Sequence, residues 1–305
     1  MLTVSALTRA ELGARLRSPG IYLRAGGFTI HLTSAVPSVA DGIHLLYADY
    51  PLLEDCAFSD FHLEVVQPAN LRRWYKPQVK FMFDGMSMFR PLPYNQAFPM
   101  FEWGLNWAIS GRAHSHLILH AAVVERDGLA AILPAPPGSG KSTLCAALVS
   151  KGWRLLSDEL TMIRPGDGML TPLPRPISLK NASIDVMRRY QPDAVMSPPV
   201  ADTTKGTVAH LKAPAASVAR AAELARPAWV IFPRYRAGAA TTLTPIPRAR
   251  AFLRVAENGF NYSLLGATGF ETLAGLIGQT ESYEFSYSVL DEAIDAFARL
   301  PAPRP

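Results

Sequence analysis

Residues 134–143 read PAPPGSGKST, a stretch whose residue types and spacing could hold a phosphate chain. Phosphate loops follow G-x-x-x-x-G-K-[ST]. The window Ala135, Pro136, Pro137, Gly138, Ser139, Gly140, Lys141, Ser142 fits except at Ala135, and Thr143 follows it. Such a loop needs backbone N–H groups turned inward, glycine where phosphate comes close, and a helix N-terminus behind. Gly138 and Gly140 supply the close approach. Pro136 and Pro137 lack N–H groups but precede the glycines and stiffen the chain. Lys141 is placed to reach the β- and γ-phosphates, and the Ser142 hydroxyl to bind Mg²⁺. The expected ligand is ATP with Mg²⁺.

An acidic pair comes next. Asp158 and Glu159, in WRLLSDEL, start 17 residues after Lys141. A carboxylate at a strand end beside phosphates can hold Mg²⁺ or its water, or accept a proton from a nucleophile. Adjacent residues on a strand face opposite ways, so both reach one site only if the strand breaks there. Further on, Arg175 and Lys180 are cations in a segment that should return beside the loop. Lys205 lies in a Gly-containing turn before a strand, where it could close over the phosphates or grip an acceptor. Cations of this kind suit the negative charge of a transferring phosphoryl group.

From His120 (HAAVVERDG) through PPGSGKSTLCAALVSKGWRLLSDEL, the chain resembles the HPr kinase/phosphorylases, and more closely the HPr-kinase-related proteins of type A. PRPISLKNASI, TTKGTVAHLK and FEWGLNW extend the likeness over most of the chain. The resemblance implies an α/β P-loop kinase core of the HPr kinase/phosphoenolpyruvate carboxykinase-like type. It implies Asp158 as the base, Glu159 on the metal side and His120 near acceptor and phosphate. It also implies a Ser or Thr hydroxyl on a small protein or peptide as acceptor, a bacterial setting and a self-associating chain; the residues themselves leave open a kinase for a small-molecule hydroxyl and a non-catalytic nucleotide-dependent switch. The chain departs from the pattern at Ala135 and Ala121, which stand where the family has glycine, and it lacks the family's arginine–glycine signature.

These residues need elements to position them. LAAILPA reads as a buried strand before the loop, and KSTLCAALVSKG as a helix after it with Gly152 as its stop. HLILHAAVV and LAAIL read as strands joined at Arg126-Asp127-Gly128, and LTMIRPGDGMLTPLP as a hairpin. Ahead of them, residues 98–112 carry Phe101, Leu105 and Ile109 at helical spacing. Trp103 and Trp107 fall on an adjoining face and read as core. The region before residue 98 is β-rich, with one helix expected over residues 6–16. The division expected is 1–97 β-rich, 98–300 kinase-like, and 301–305 a tail.

Composition removes other classes. The chain has 305 residues, 49% hydrophobic and 18% charged, with a net charge of +5. That is a globular balance, and no Lys/Arg run marks a nucleic-acid arm. Two cysteines make neither a disulfide framework nor a CxxC metal pair. His114 and His116 have no carboxylate or cysteine beside them in sequence to complete a metal set. No apolar run approaches the ~20 residues that span a bilayer, and the N-terminus lacks a secretory pattern. A cytoplasmic protein without nucleic-acid or membrane partners is expected. TTKGT puts Thr207 where a guanine-specific motif needs an acid, and no LSGGQ appears, which sets aside GTPases and transport ATPases.

Overall fold

The computed structural model describes residues 2–54 and 56–301, so the expected tail beyond Pro301 lies outside the described residues. The chain is a mixed α/β protein built on three sheets. The first sheet has eight strands from the N-terminal third, in the order Leu2–Thr3, Pro51–Leu53, Ile21–Ala25, Phe28–Ser34, Phe61–Val66, Gln78–Phe83, Met86–Ser87, with Leu92–Pro93 pairing on Gln78–Phe83. Its strands alternate buried and less buried residues, as in Gln78–Phe83, so one face packs and the other meets water. Helices Arg9–Arg17, Pro37–Leu46 and Ala97–Arg112 cover the packed face.

The first helix starts three residues later than the sequence suggested. Thr8 caps it, its hydroxyl accepting from Glu11 N–H while Glu11 reaches back to Thr8 N–H. That reciprocal cap fixes the start, and Ala6 falls in a preceding 3₁₀ turn. The helix Ala97–Arg112 lies across the N-terminal sheet. Trp107 packs edge-on against Phe83 and Phe89 at the margin of the core, while Trp103, also expected in the core, is half-buried beneath the Lys205 ammonium. A Cβ at Gly104 would collide with the Phe81 ring, so glycine lets helix and sheet approach closely.

The second sheet runs Leu170–Thr171, Leu160–Ile163, Leu117–Arg126, Leu129–Pro134, Arg226–Tyr235, Glu281–Tyr287, Thr242–Pro245, with Arg154–Ser157 also pairing on Leu117–Arg126. Leu129–Pro134, Arg226–Tyr235 and Glu281–Tyr287 are parallel. Alternate residues of this sheet feed two different clusters. Ala122, Val124, Ala131 and Leu133 join the core that holds helix Lys141–Ser150, while Ala121, Val123, Ala130 and Ile132 pack towards helices Arg248–Ala256 and Tyr262–Gln279. Burial on both faces explains the nearly unbroken apolar runs of these strands. The third sheet, Ile177–Lys180, Gly206–Leu211 and Val200–Thr203, is antiparallel. Among the described residues no helix is long and apolar enough to cross a membrane.

Candidate phosphate-binding cleft

Strand Leu129–Pro134 ends, residues 135–140 loop out, and helix Lys141–Ser150 begins. The strand–loop–helix order expected from the sequence is therefore present. Two neighbouring strand ends fasten the loop from below. Tyr287 Oη donates to Gly140 O at 3.0 Å, and Tyr235 N–H donates to Ser139 O at 2.9 Å. Gly140 sits at φ 88°. A Cβ there would lie 2.5 Å from Tyr287 Oη and 2.9 Å from Tyr235 Cβ. Both the backbone conformation and the space demand glycine. Gly140→Ala is expected to cost about 1–3 kcal/mol, the scale of a strained left-handed residue. Denaturant unfolding checks it; a variant as stable as the parent would show that the loop yields.

The loop faces a cavity of about 480 Å³, within the range of nucleotide-sized sites. It opens at the carboxyl ends of the parallel strands, where ligands of open α/β sheets bind. Residues 136–143 line it, while Ala135 is buried behind them. Its lining includes an aromatic and apolar set, Tyr235, Tyr287, Val186 and Leu290, and a charged and polar set, Lys141, His120, Lys180 and Glu159. Lys141 Nζ is 3.3 Å from His120 Nε2, an ammonium donating to a neutral imidazole. Lys180 Nζ is 3.7 Å from Glu159 Oε1.

The acidic pair occupies a strand break. Ser157 pairs with Val123 and Leu160 with His120, so Asp158 and Glu159 fall in the gap between two short strands along one long partner, just after a register shift between Leu155 and Ser157. The two carboxylates end in different surroundings. Asp158 is 4% exposed and does not line the cavity. Its Oδ2 accepts Ser178 N–H at 3.1 Å, and its Oδ1 is buried without a partner. Burial pushes its carboxyl above the usual aspartate range; Lys141 and the Ser142 hydroxyl pull the other way without cancelling this. Glu159 lines the cavity with its side chain 18% exposed. Burial alone would raise its carboxyl, but Lys180, Lys141 and Lys205 outweigh it and hold the group at about 2.

The same charges act on His120. Burial and Lys141 lower its imidazole from 6.5 to about 4. The unfolded chain binds this proton below pH 6.5, whereas the fold refuses it until about pH 4. Stability therefore falls as pH drops through that window. Burial also lowers His116 and His210, which add to the loss. His120→Gln is expected to shallow, not abolish, the fall of Tm between pH 6.5 and 4. An unchanged slope would mean that His120 is protonated freely in the fold.

The remaining expected cations part company. Lys205 stands at the tip between Val200–Thr203 and Gly206–Leu211, its Nζ 5.0 Å from the centre of the Trp103 ring. It lies outside the lining of the cavity but within electrostatic reach of Glu159. Arg175, expected to contact phosphate or acceptor, does not line the cavity. It is 6% exposed and fully engaged by Glu102, Asn106 and Tyr47. Its side chain turns from the cavity because a buried carboxylate is the stronger attraction. His116 bonds to Thr171 Oγ1 at 3.0 Å, and no three His, Cys, Asp or Glu group as metal ligands among the described residues.

Sequence reasoning missed the aromatic lining of the cleft and the layer behind Glu159. Tyr235 ends a strand nearly a hundred residues past the loop and Tyr287 one 147 residues past Gly140, and no local pattern marks them. FEWGLNW was noticed for its tryptophans, whereas Glu102 and Asn106 carry its polar contacts.

No family model and no curated protein matches the chain. Among solved structures it is similar to the Hpr(Ser) kinase/phosphatase from Coxiella burnetii, at 11% sequence identity and a TM-score of 0.24, over 60% of this chain and 95% of that one. A likeness so loose leaves the chemistry to the residues of the cleft.

Proposed function

We propose that the chain is an ATP-dependent kinase with a P-loop core, transferring the γ-phosphate to a Ser or Thr hydroxyl of a small protein or peptide. One observation carries the reading. A glycine loop at a helix N-terminus, with Lys141, faces Glu159 and Lys180 across a nucleotide-sized cavity. The exposed ring of Tyr235, with Val186 and Leu290, suits a base, and Lys141 and Lys180 suit the phosphates.

Mg²⁺ fits this site. Asp158 Oδ1 is a buried carboxylate oxygen without a well-formed hydrogen bond, and the Ser142 hydroxyl lies close enough to the same carboxyl to pull its titration down. Two protein oxygens suit an ion that keeps waters and takes phosphate oxygens for the rest of its shell. When bound, it supplies positive charge against the phosphate oxygens. We assign the metal side to Asp158 and Ser142, and the acceptor side to Glu159, which reverses the carboxylate roles implied by the family resemblance. Support for the reversal is exposure: Glu159 meets the cavity and Asp158 does not.

Against Lys180, Lys141 and Lys205 alone, Glu159 is held at about 2 and is too weak a base. Phosphates at Lys141 and Lys180 would offset the cations that depress it and raise its carboxyl. Glu159 then accepts the acceptor's hydroxyl proton as the oxygen attacks the γ-phosphorus and the β–γ bridging oxygen leaves with ADP. Lys141 and Lys180 hold the transferring group, and neutral His120 keeps Lys141 in place.

Calorimetric titration with ATP, with and without Mg²⁺, tests the first half of the reading. Binding with Kd of about 1 μM to 1 mM, tighter with Mg²⁺, is expected. An Asp158→Asn variant that keeps the full Mg²⁺ effect would remove Asp158 from the metal side.

A further inference from the structure

Three stretches that the phosphate loop does not use, FEWGLNW, PRPISLK and TTKGTVAHLK, converge behind the acidic pair. The contacts form a chain. Tyr47 Oη donates to Glu102 Oε1 at 2.7 Å. Arg175 Nη2 donates to Glu102 Oε2 at 2.5 Å and to Glu102 O at 3.2 Å. Arg175 Nη1 donates to Asn106 Oδ1 at 2.5 Å. Asn106 Nδ2 then donates to Glu159 Oε2 at 2.8 Å.

The direction of this chain is fixed by chemistry. A guanidinium can only donate, so the Asn106 amide must turn its oxygen to Arg175. Its NH₂ is left for Glu159, which as a carboxylate can only accept. A buried ion pair is a poor source of stability, because desolvation offsets most of its attraction. Arg175 and Glu102 are nevertheless 6% and 3% exposed. A role in fixing an amide accounts for their burial. Glu159 Oε2 is thereby held, and Oε1 is the oxygen 3.7 Å from Lys180, on the cavity side.

We infer that Asn106 is a positioning residue for the carboxylate that receives the acceptor's proton, and that Arg175, locked by Glu102 and Tyr47, sets the orientation of its amide. The inference rests on the proposed role of Glu159. It also changes the part played by the N-terminal third. Tyr47 comes from the helix-capping turn after Pro37–Leu46, and Asn106 from a helix seated on the N-terminal sheet. The N-terminal sheet therefore supports the cleft.

The test is Asn106→Leu, of similar size without a donor, assayed by the initial rate of label transfer from γ-labelled ATP into host lysate across pH. MgATP affinity should stay within about threefold. Transfer should fall about 10- to 100-fold, the scale of a catalytic group misplaced by a fraction of an ångström to an ångström. The acid limb of the pH profile should move to higher pH, because a lost hydrogen bond to the charged form raises a carboxyl. A purely structural role would lower the rate without moving that limb. Arg175→Lys keeps the charge against Glu102 but loses the fork; it should shift the limb in the same direction by less, and it serves if the leucine variant does not fold. Unmoved limbs with transfer within twofold, while Glu159→Gln is inactive, would overturn the positioning role alone. Glu159→Gln transferring at the parent rate would overturn the role of Glu159 and this inference with it.

Discussion

Glu159→Gln should reduce phosphate transfer about 10²- to 10⁴-fold, the usual contribution of a positioned general base. MgATP affinity should change by no more than a few fold. The amide is nearly isosteric and can still meet Asn106, so the fold is undisturbed. What disappears is the carboxylate that lines the cavity. Asp158→Asn should behave differently. Its Oδ2 partner, the Ser178 N–H, faces an amide that can still accept, but the charge beside Ser142 is gone. Mg²⁺ dependence should weaken, and transfer should fall because metal-bound nucleotide is scarce. Added Mg²⁺ should restore part of the Asp158→Asn rate and none of the Glu159→Gln rate. Transfer assays over a Mg²⁺ series separate the two; rescue of Glu159→Gln by Mg²⁺ would return that residue to the metal side.

Lys141→Met has the next largest expected effect. A hydrogen bond between an ammonium and a phosphate contributes about 1.5–3 kcal/mol, so MgATP affinity should fall roughly 10- to 150-fold. Lys141 is 7% exposed, and its ammonium is poised at His120 Nε2. Removing it should also relieve part of the depression of His120, raising that imidazole towards its ordinary value. Proton NMR of the ring across pH checks the second effect. Unchanged nucleotide affinity would show that the loop's N–H groups hold the phosphates without the lysine.

The loop and the acidic pair were legible in the sequence because their signals are local. A strand, a glycine loop and a helix N-terminus lie within twenty residues, and the break at Asp158–Glu159 follows from two strands sharing one long partner. Tyr235 and Tyr287 were illegible as neighbours of the loop because parallel pairing brings their strands to it from far along the chain. Arg175 was misplaced for a related reason. Sequence order puts it near the loop, but Glu102, more than seventy residues earlier, captures it. The helix Ala97–Arg112 was identified and its partner was not. Periodicity marks an apolar face, and only the fold shows that Phe81 and Phe83 cover it.

Incubating the purified chain with ATP labelled at either the α- or the γ-phosphate, in lysate of its own host, tests the central claim most directly. The account expects γ-label, and no α-label, in one small protein or peptide as phosphoserine or phosphothreonine, and none with Glu159→Gln. γ-Label in a metabolite alone would contradict the protein acceptor while leaving a kinase. ATP bound and no label moved would contradict the kinase itself, and leave a cleft that binds nucleotide as a switch.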